Sequence, residues 1–201
     1  MWVVKLGGSL LGTPELKIWL ALLAEKSDGR IVIVPGGGVF AETVRNQQVF
    51  GQYSDAAAHT MAILAMEQFG SVLQSLQPDL VAASTELEIA ECSWQHRTIV
   101  WRPHRMLFAD DEIPQNWNVT SDSLAAWLAA KIGADRLVIV KHEPVPEQPL
   151  PLKRLQEQGI VDGAFKQFAQ HLNCPINIYG KVEHAAFAKA WDDGFIPALA
   201  D

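Results

Sequence analysis

The stretch "VVKLGGSLL" at residues 3–11 decides how the rest of the chain is read. An apolar run carries one lysine and stops at two adjacent glycines, and "IVIVPGGGVFAE" at 31–42 repeats the plan with three. Residues 2–6 are apolar except for Lys5, the mark of a strand buried on both faces. An unpaired ammonium there is costly, so Lys5 is expected to face a cleft and meet an anion. Each glycine turn exposes backbone N–H groups unshielded by Cβ atoms, the arrangement that cradles phosphate oxygens. A single such turn is more often only a turn, and a lysine at a solvated strand end is ordinary. Two turns with a lysine favour the anion reading.

Outward from these turns, strands alternate with helices. Thr13-Pro14-Glu15 supplies a helix start, with Leu16, Trp19, Leu20 and Leu23 on its inner face. A long helix is expected over 55–76, a strand at 98–102 and a helix over 120–134 that ends near Gly133. "RLVIV" follows as a strand; a helix near 162–172, a strand at 176–179, a helix over 182–192 and a short terminal strand complete the chain. "KHEPVPEQPLPLK" at 141–153 reads as one long surface loop. This alternation predicts a largely parallel sheet between two helical layers, with ligands at the carboxyl ends of the strands.

Composition sets limits on function. The 201 residues suit one domain, expected to span 1–201, able to bury about 70% of its unfolded surface. No run approaches the ~20 apolar residues of a membrane span, and the start lacks a secretory leader pattern, so the expected setting is cytoplasmic, with no membrane partner. A formal charge of -7 argues against nucleic acid as a partner, although a few local cations can still hold a small anion. Cys92 and Cys174 lie far apart without a CxxC pattern, which speaks against a zinc cluster or a disulfide framework; both read as core thiols, and no metal-binding residues are expected.

Two phosphate-binding patterns compete. GxxxxGK[ST] is absent, which excludes a P-loop. "GGGVFA" at 36–41 fits the looser GxGxxA pattern of dinucleotide binders, but a second strand ending in an acidic residue about twenty positions on is then required. Asp55 opens a helical stretch instead, so a nicotinamide enzyme is the weaker rival.

Three segments together, "VKLGGS", "PGGG" and "NVTSDSLAAWLAAKIGADRLVIVK", with the tail "GIVDGAFKQFAQHLNCPINIYG", resemble the amino acid kinase family. The resemblance implies a three-layer αβα sandwich with the phosphoryl acceptor toward the N-terminal half and ATP toward the C-terminal half. It gives Lys5 the role of bridging donor and acceptor phosphoryl oxygens and Asp122 that of holding catalytic lysines in place. Gly7, Gly8 and Ser9 match the loop around the transferred group, and Gly36, Gly37 and Gly38 the acceptor-side loop. Thr120 lies where uridylate kinases have a threonine near the acceptor phosphate. Asp122 also suits a plain helix start, where the dipole favours a carboxylate. The resemblance further implies Mg²⁺ carried on ATP oxygens and a homodimer. Phosphoryl transfer asks for alignment and positive charge more than for covalent help, which one lysine and N–H groups provide.

The chain departs from the family after "LVIVK", where "HEPVPEQP" replaces the usual acidic turn beside the nucleotide. Lys141 remains a nucleotide-binding candidate, with a structural surface role as the alternative; His142 is a weaker one, and Lys166 lies in the region of a second catalytic lysine found in some members. "YSDAAAHTMAILAMEQFG" at 53–70 together with "TSDSLAA" looks most like the small kinases of methanofuran biosynthesis, which phosphorylate an aminomethylfuran-methyl phosphate. Ser54, His59 and Thr120 are the substrate-side candidates. Isopentenyl phosphate kinases use a histidine in a comparable helix, whereas a lone His59 also fits a partly buried helix histidine. Arg97, Arg102 and Arg105 in "HRTIVWRPHRM" suggest an acceptor-side lid or, more simply, a charged edge strand. The expected function is ATP-dependent phosphorylation of a small phosphorylated or carboxylated metabolite; a non-catalytic nucleotide or oxyanion binder of the same fold is the alternative.

Overall fold

The computed structural model describes residues 1–146 and 151–194. Six strands form one sheet: β1 (Trp2–Leu6), β2 (Ile31–Pro35), β3 (Leu80–Ala83), β4 (Thr98–Trp101), β5 (Arg136–Lys141) and β6 (Ile176–Gly180). Their order is β3-β4-β2-β1-β5-β6, and every pairing is parallel. The chain first builds outward from β1 through β2, then returns to add β5 on the other side of β1. The crevice where the winding reverses, at the carboxyl ends of β1 and β5, is where such sheets take ligands.

The period of two along β1 distributes its side chains between two cores. Val4 and Leu6 pack with Leu16, Trp19, Leu20 and Leu23 of α1 (Pro14–Ser27) and with Phe187 of α9 (His184–Asp192). Val3 faces the other way, into the core that holds Leu124, Ala125 and Leu128 of α6 (Ser121–Lys131) and Phe165 of α8 (Phe165–Ala169). Helices therefore cover both faces, and the αβα sandwich is the architecture. Lys5 shares the face of Val3, so its side chain is aimed at the side where α6 begins.

Between the strands of the N-terminal half lie α2 (Gly38–Gly51), α3 (Asp55–Leu76) and α4 (Glu86–Trp94). α3 occupies the expected span and starts on a capping bond from Ala57 N–H to Ser54 Oγ at 3.2 Å. α6 is shorter than read, ending at Lys131, and α8 is only five residues long. α4 and β3 lie in a stretch with no clear period in the sequence. A one-turn α5 (His104–Leu107) and α7 (Leu152–Glu157) complete the elements, so α7 begins inside the segment read as loop. The expected terminal strand lies outside the described residues.

The arginine-rich segment needs correction. β4 is an interior strand between β3 and β2, and β3 forms that edge. Arg102 ties the strand end to α3, donating to the Glu67 carbonyl at 2.5 Å, Ser71 Oγ at 2.9 Å and Gln74 Oε1 at 2.7 Å. Arg97 donates to the Asp79 carbonyl at 3.3 Å, and Arg105 lies 3.3 Å from Glu88. These arginines fasten elements together and line no part of the cleft described below.

Candidate active site

The two glycine turns meet. A Cβ added to Gly8 would lie 2.0 Å from the Gly38 amide nitrogen, and one on Gly36 would lie 2.4 Å from that of Gly8. Gly38 also holds φ 55°, in the left-handed region that other residues avoid. Close approach of backbone to backbone is therefore the immediate reason for glycine at these positions. The amides divide into two groups. Gly7 N–H donates to the Val140 carbonyl at 3.0 Å and Gly36 N–H to the Leu6 carbonyl at 2.9 Å, so these two lace the turns to their neighbouring strands. The amides of Gly8, Ser9, Gly37 and Gly38 find no acceptor among the described residues. Gly38 opens α2, which adds the positive end of a helix dipole to this nest of N–H groups.

Beside the nest lies a triad. Lys5 Nζ stands 2.8 Å from Asp122 Oδ1, and Lys141 Nζ donates to Asp122 Oδ2 at 2.7 Å. Lys5 and Asp122 are buried and Lys141 is largely so. Burial lowers the pKa of Lys5 by penalising its charged form, a trend that Asp122 opposes and Lys141 reinforces. Burial acts on Asp122 in the opposite sense, raising its pKa, but the two lysines and their hydrogen bonds outweigh it and bring the carboxyl down to about 2. Two lysines share the Asp122 carboxylate, and the Asp162 carboxylate is close enough to act on Lys5 as well. An anion arriving there would meet two lysine ammonium groups held at fixed distances.

Asp122 owes its position to the start of α6, and that start is capped from elsewhere in the chain. Thr120 occupies the N-cap position without making a side-chain cap. Asp162 supplies it: Oδ2 accepts from Thr120 N–H at 2.9 Å, Thr120 Oγ1 at 2.7 Å and Ser123 N–H at 3.0 Å, while Oδ1 takes the Ser123 hydroxyl. A carboxylate thus satisfies the free amides of the turn that carries Asp122. Sequence inspection passes over Asp162, because "VDG" reads as an ordinary turn and its partners lie about forty residues away.

A cleft of about 580 Å³ opens from the nest toward α2 and α3. Gly8, Ser9, Gly37, Gly38, His59 and Thr120 all line it, as do Glu42, Arg45 and Trp117, which the sequence reading did not single out. His59 is buried; desolvation lowers its pKa and keeps it neutral near pH 7, with the Asn116 backbone as its hydrogen-bonding partner. Ser54 is taken up in capping α3 and does not line the cleft. Lys141, the last residue of β5, reaches Asp122, and Lys5, Asp122 and Lys141 lie behind the nest and do not themselves line the cleft; Lys166 lies exposed on α8. His142 Nε2 lies 2.9 Å from Lys181 Nζ at the ends of β5 and β6.

A parallel α/β sandwich with paired glycine turns and a Lys-Asp-Lys triad at its switch point defines a class, and residues 1–144 match the profile of the Amino acid kinase family. The chain belongs to that family. Among its relatives, the [5-(aminomethyl)furan-3-yl]methyl phosphate kinase of Methanocaldococcus jannaschii is 30% identical over 141 residues, 69% of this chain and 64% of the relative. The match thus spans just under two thirds of that protein's length. Two solved structures share the fold: the uridylate kinase from Archaeoglobus fulgidus, with a TM-score of 0.69 at 17% identity over 98% of both chains, and the UMP kinase from Bacillus anthracis, with a TM-score of 0.69 at 15% identity over 96% of this chain and 91% of that one.

Proposed function

We propose that this protein transfers the γ-phosphoryl group of ATP to a small acceptor that already bears an anionic oxygen, a phosphate monoester, and yields the diphosphate. The observation that carries this reading is the Lys5-Asp122-Lys141 triad beside four unpaired amides. Two ammonium groups and converging N–H donors suit phosphoryl oxygens and would stabilise the charge that spreads over them during transfer. In this reading Lys5 spans donor and acceptor oxygens, Lys141 meets the donor's phosphates, and Asp122 holds both lysines at fixed distances. Gly8, Ser9, Gly37 and Gly38 hold the transferred and accepting groups, with Gly7 and Gly36 fixing the shape of the turns. Thr120 and His59 face the acceptor; Ser54 contributes only by starting α3.

The one imidazole lining the cleft, His59, has its pKa lowered by burial and is a weakened base. A phosphate monoester needs none, because its second proton is largely gone at neutral pH. ATP supplies the phosphoryl group, and Mg²⁺ on its oxygens supplies further charge. Among the described residues no group of three or more His, Cys, Asp or Glu is arranged to hold a metal ion. The first acceptor to try is [5-(aminomethyl)furan-3-yl]methyl phosphate, the compound in the name of the 30%-identical relative; UMP is the second. No helix among the described residues is long and apolar enough to cross a membrane; the proposed setting is the cytoplasm. The chain works as one domain and pairs into a homodimer, for which the exposed Val49 and Phe50 of α2 are the natural contact.

ADP release, measured with ATP, Mg²⁺ and a panel of phosphorylated and carboxylated metabolites, tests the reading. The expected result is turnover with a phosphate monoester that falls at least about 10³-fold in Lys5→Ala while its circular dichroism stays native. ATP binding without turnover on any acceptor would favour a non-catalytic nucleotide binder instead.

A further inference from the structure

The cleft has a polarity that phosphate binding leaves unexplained. Glu42, Arg45 and Asn46 lie on the cleft-facing side of α2, and among the residues lining the cleft Glu42 is the one carboxylate and Arg45 the one Lys or Arg. Opposite charges three residues apart on a helix are neighbours and commonly pair. Here they do not. The Arg45 guanidinium lies over the face of Trp117, 4.4 Å from the ring centroid, and Trp117 is itself held by a hydrogen bond from Nε1 to Gln48 Oε1 at 2.6 Å. Glu42, exposed at the mouth of the cleft as Arg45 is, makes no hydrogen bond or ion pair among the described residues and is solvated until the cleft is occupied. An anion that faces a cleft while its natural partner is drawn aside is a site for a cation carried in by the occupant.

Distance along the helix fixes where that cation would sit. Gly38 gives α2 its first amide, and Glu42 follows four residues later, about 6 Å along the axis. Ile63 and Met66 of α3 and Val119 form apolar wall of the same cleft, and the Arg45–Trp117 pair stands about one turn farther along α2. An occupant with its phosphate on the glycine amides therefore has room for a short, flat, apolar body before it reaches the carboxylate. We infer that Glu42 is a specificity-determining residue, which selects acceptor phosphates bearing a protonated amine at the end opposite the phosphate. The inference rests on the kinase reading above for where the phosphate lies. A nucleoside monophosphate such as UMP, whose base is neutral, gives Glu42 nothing to bind.

The test pairs two acceptors that differ in one group: [5-(aminomethyl)furan-3-yl]methyl phosphate and its analogue with hydroxymethyl in place of aminomethyl. In the wild-type chain kcat/KM is expected to favour the amine by about 10-fold, mostly through KM. In Glu42→Gln that ratio should fall to near one, and Glu42→Asp should keep part of it. Equal treatment of the two acceptors by the wild-type chain, or an unchanged ratio in Glu42→Gln, overturns the inference while leaving the kinase reading intact. If neither compound is phosphorylated, the kinase reading fails for these acceptors. Calorimetric binding of the same two phosphates to the wild-type chain and Glu42→Gln then decides the question, with loss of the amine preference in Glu42→Gln as the supporting result and no preference in either chain as the refuting one.

Discussion

The two sides of the crevice are built from different materials. Toward β2 and α2 the surface is backbone: two glycine turns in contact, four amides with no acceptor among the described residues, and a helix start. Toward β5 and β6 it is side chain: Lys141 on Asp122, and Lys181 on His142 at 2.9 Å, with the Lys181 carbonyl taken by Trp19 Nε1 at 2.7 Å. A backbone nest fixes its donors by chain geometry and tolerates almost no added atom. A side-chain site depends on which residues the sheet register brings side by side, and it can change its residues while keeping its charge.

Substitution of single glycines gives the largest contrast between the sides. Gly8→Ala puts a methyl group 2.0 Å from the Gly38 nitrogen, so the two turns must part; a loss of at least about 3 kcal/mol of stability is expected, with turnover reduced at least about 100-fold. Gly180→Ala, at the end of β6, meets the Glu143 carbonyl and Glu183 Oε2 at 3.2 Å and Pro144 Cα at 3.3 Å, contacts that a side chain and the segment after β5 can relieve by shifts of a few tenths of an ångström. It should cost less than about 1 kcal/mol and leave activity within a fewfold. Denaturant unfolding and ADP release measured on both proteins test the contrast, and equal losses would break it.

Next in size is the link between the C-terminal half and the catalytic helix. Asp162→Ala leaves the Thr120 and Ser123 amides without their acceptor, for an expected loss of about 2 to 3 kcal/mol. Turnover should fall about 10-fold while KM for ATP changes little, because Asp122 loses its fixed position without losing its charge. Asp162→Asn, which keeps one acceptor oxygen, should recover part of both. A stability loss with no change in kcat would confine Asp162 to a structural role.

The smallest effect is in pH. The folded-state pKa of Asp122, about 2, lies below its ordinary 3.8, so its contribution to stability is complete above that ordinary value and disappears as pH falls through about 2. The difference in unfolding free energy between the wild-type chain and Asp122→Asn should therefore shrink by about 2 kcal/mol on going from pH 5 to pH 2. The lowered pKa of Lys5 makes its buried charge a cost that rising pH relieves. A gap that stays constant down to pH 2 would mean that the carboxylate is not held by its lysines.

Sequence alone determined the alternation of strands with helices, the parallel sheet and the glycine turns, because these follow from local periods and from glycine's freedom of approach. β4 was misplaced at an edge because charge near a strand says nothing of its neighbours, and β3 and α4 escaped notice because their apolar residues keep no clean period. Only the tertiary structure decided that Lys141 joins Lys5 on Asp122, that Asp162 caps the helix from forty residues away, and that Arg45 leaves Glu42 for Trp117. Each of those facts joins residues remote in sequence through strand register or helix face, and a short-range pattern carries no record of which distant partner stands opposite.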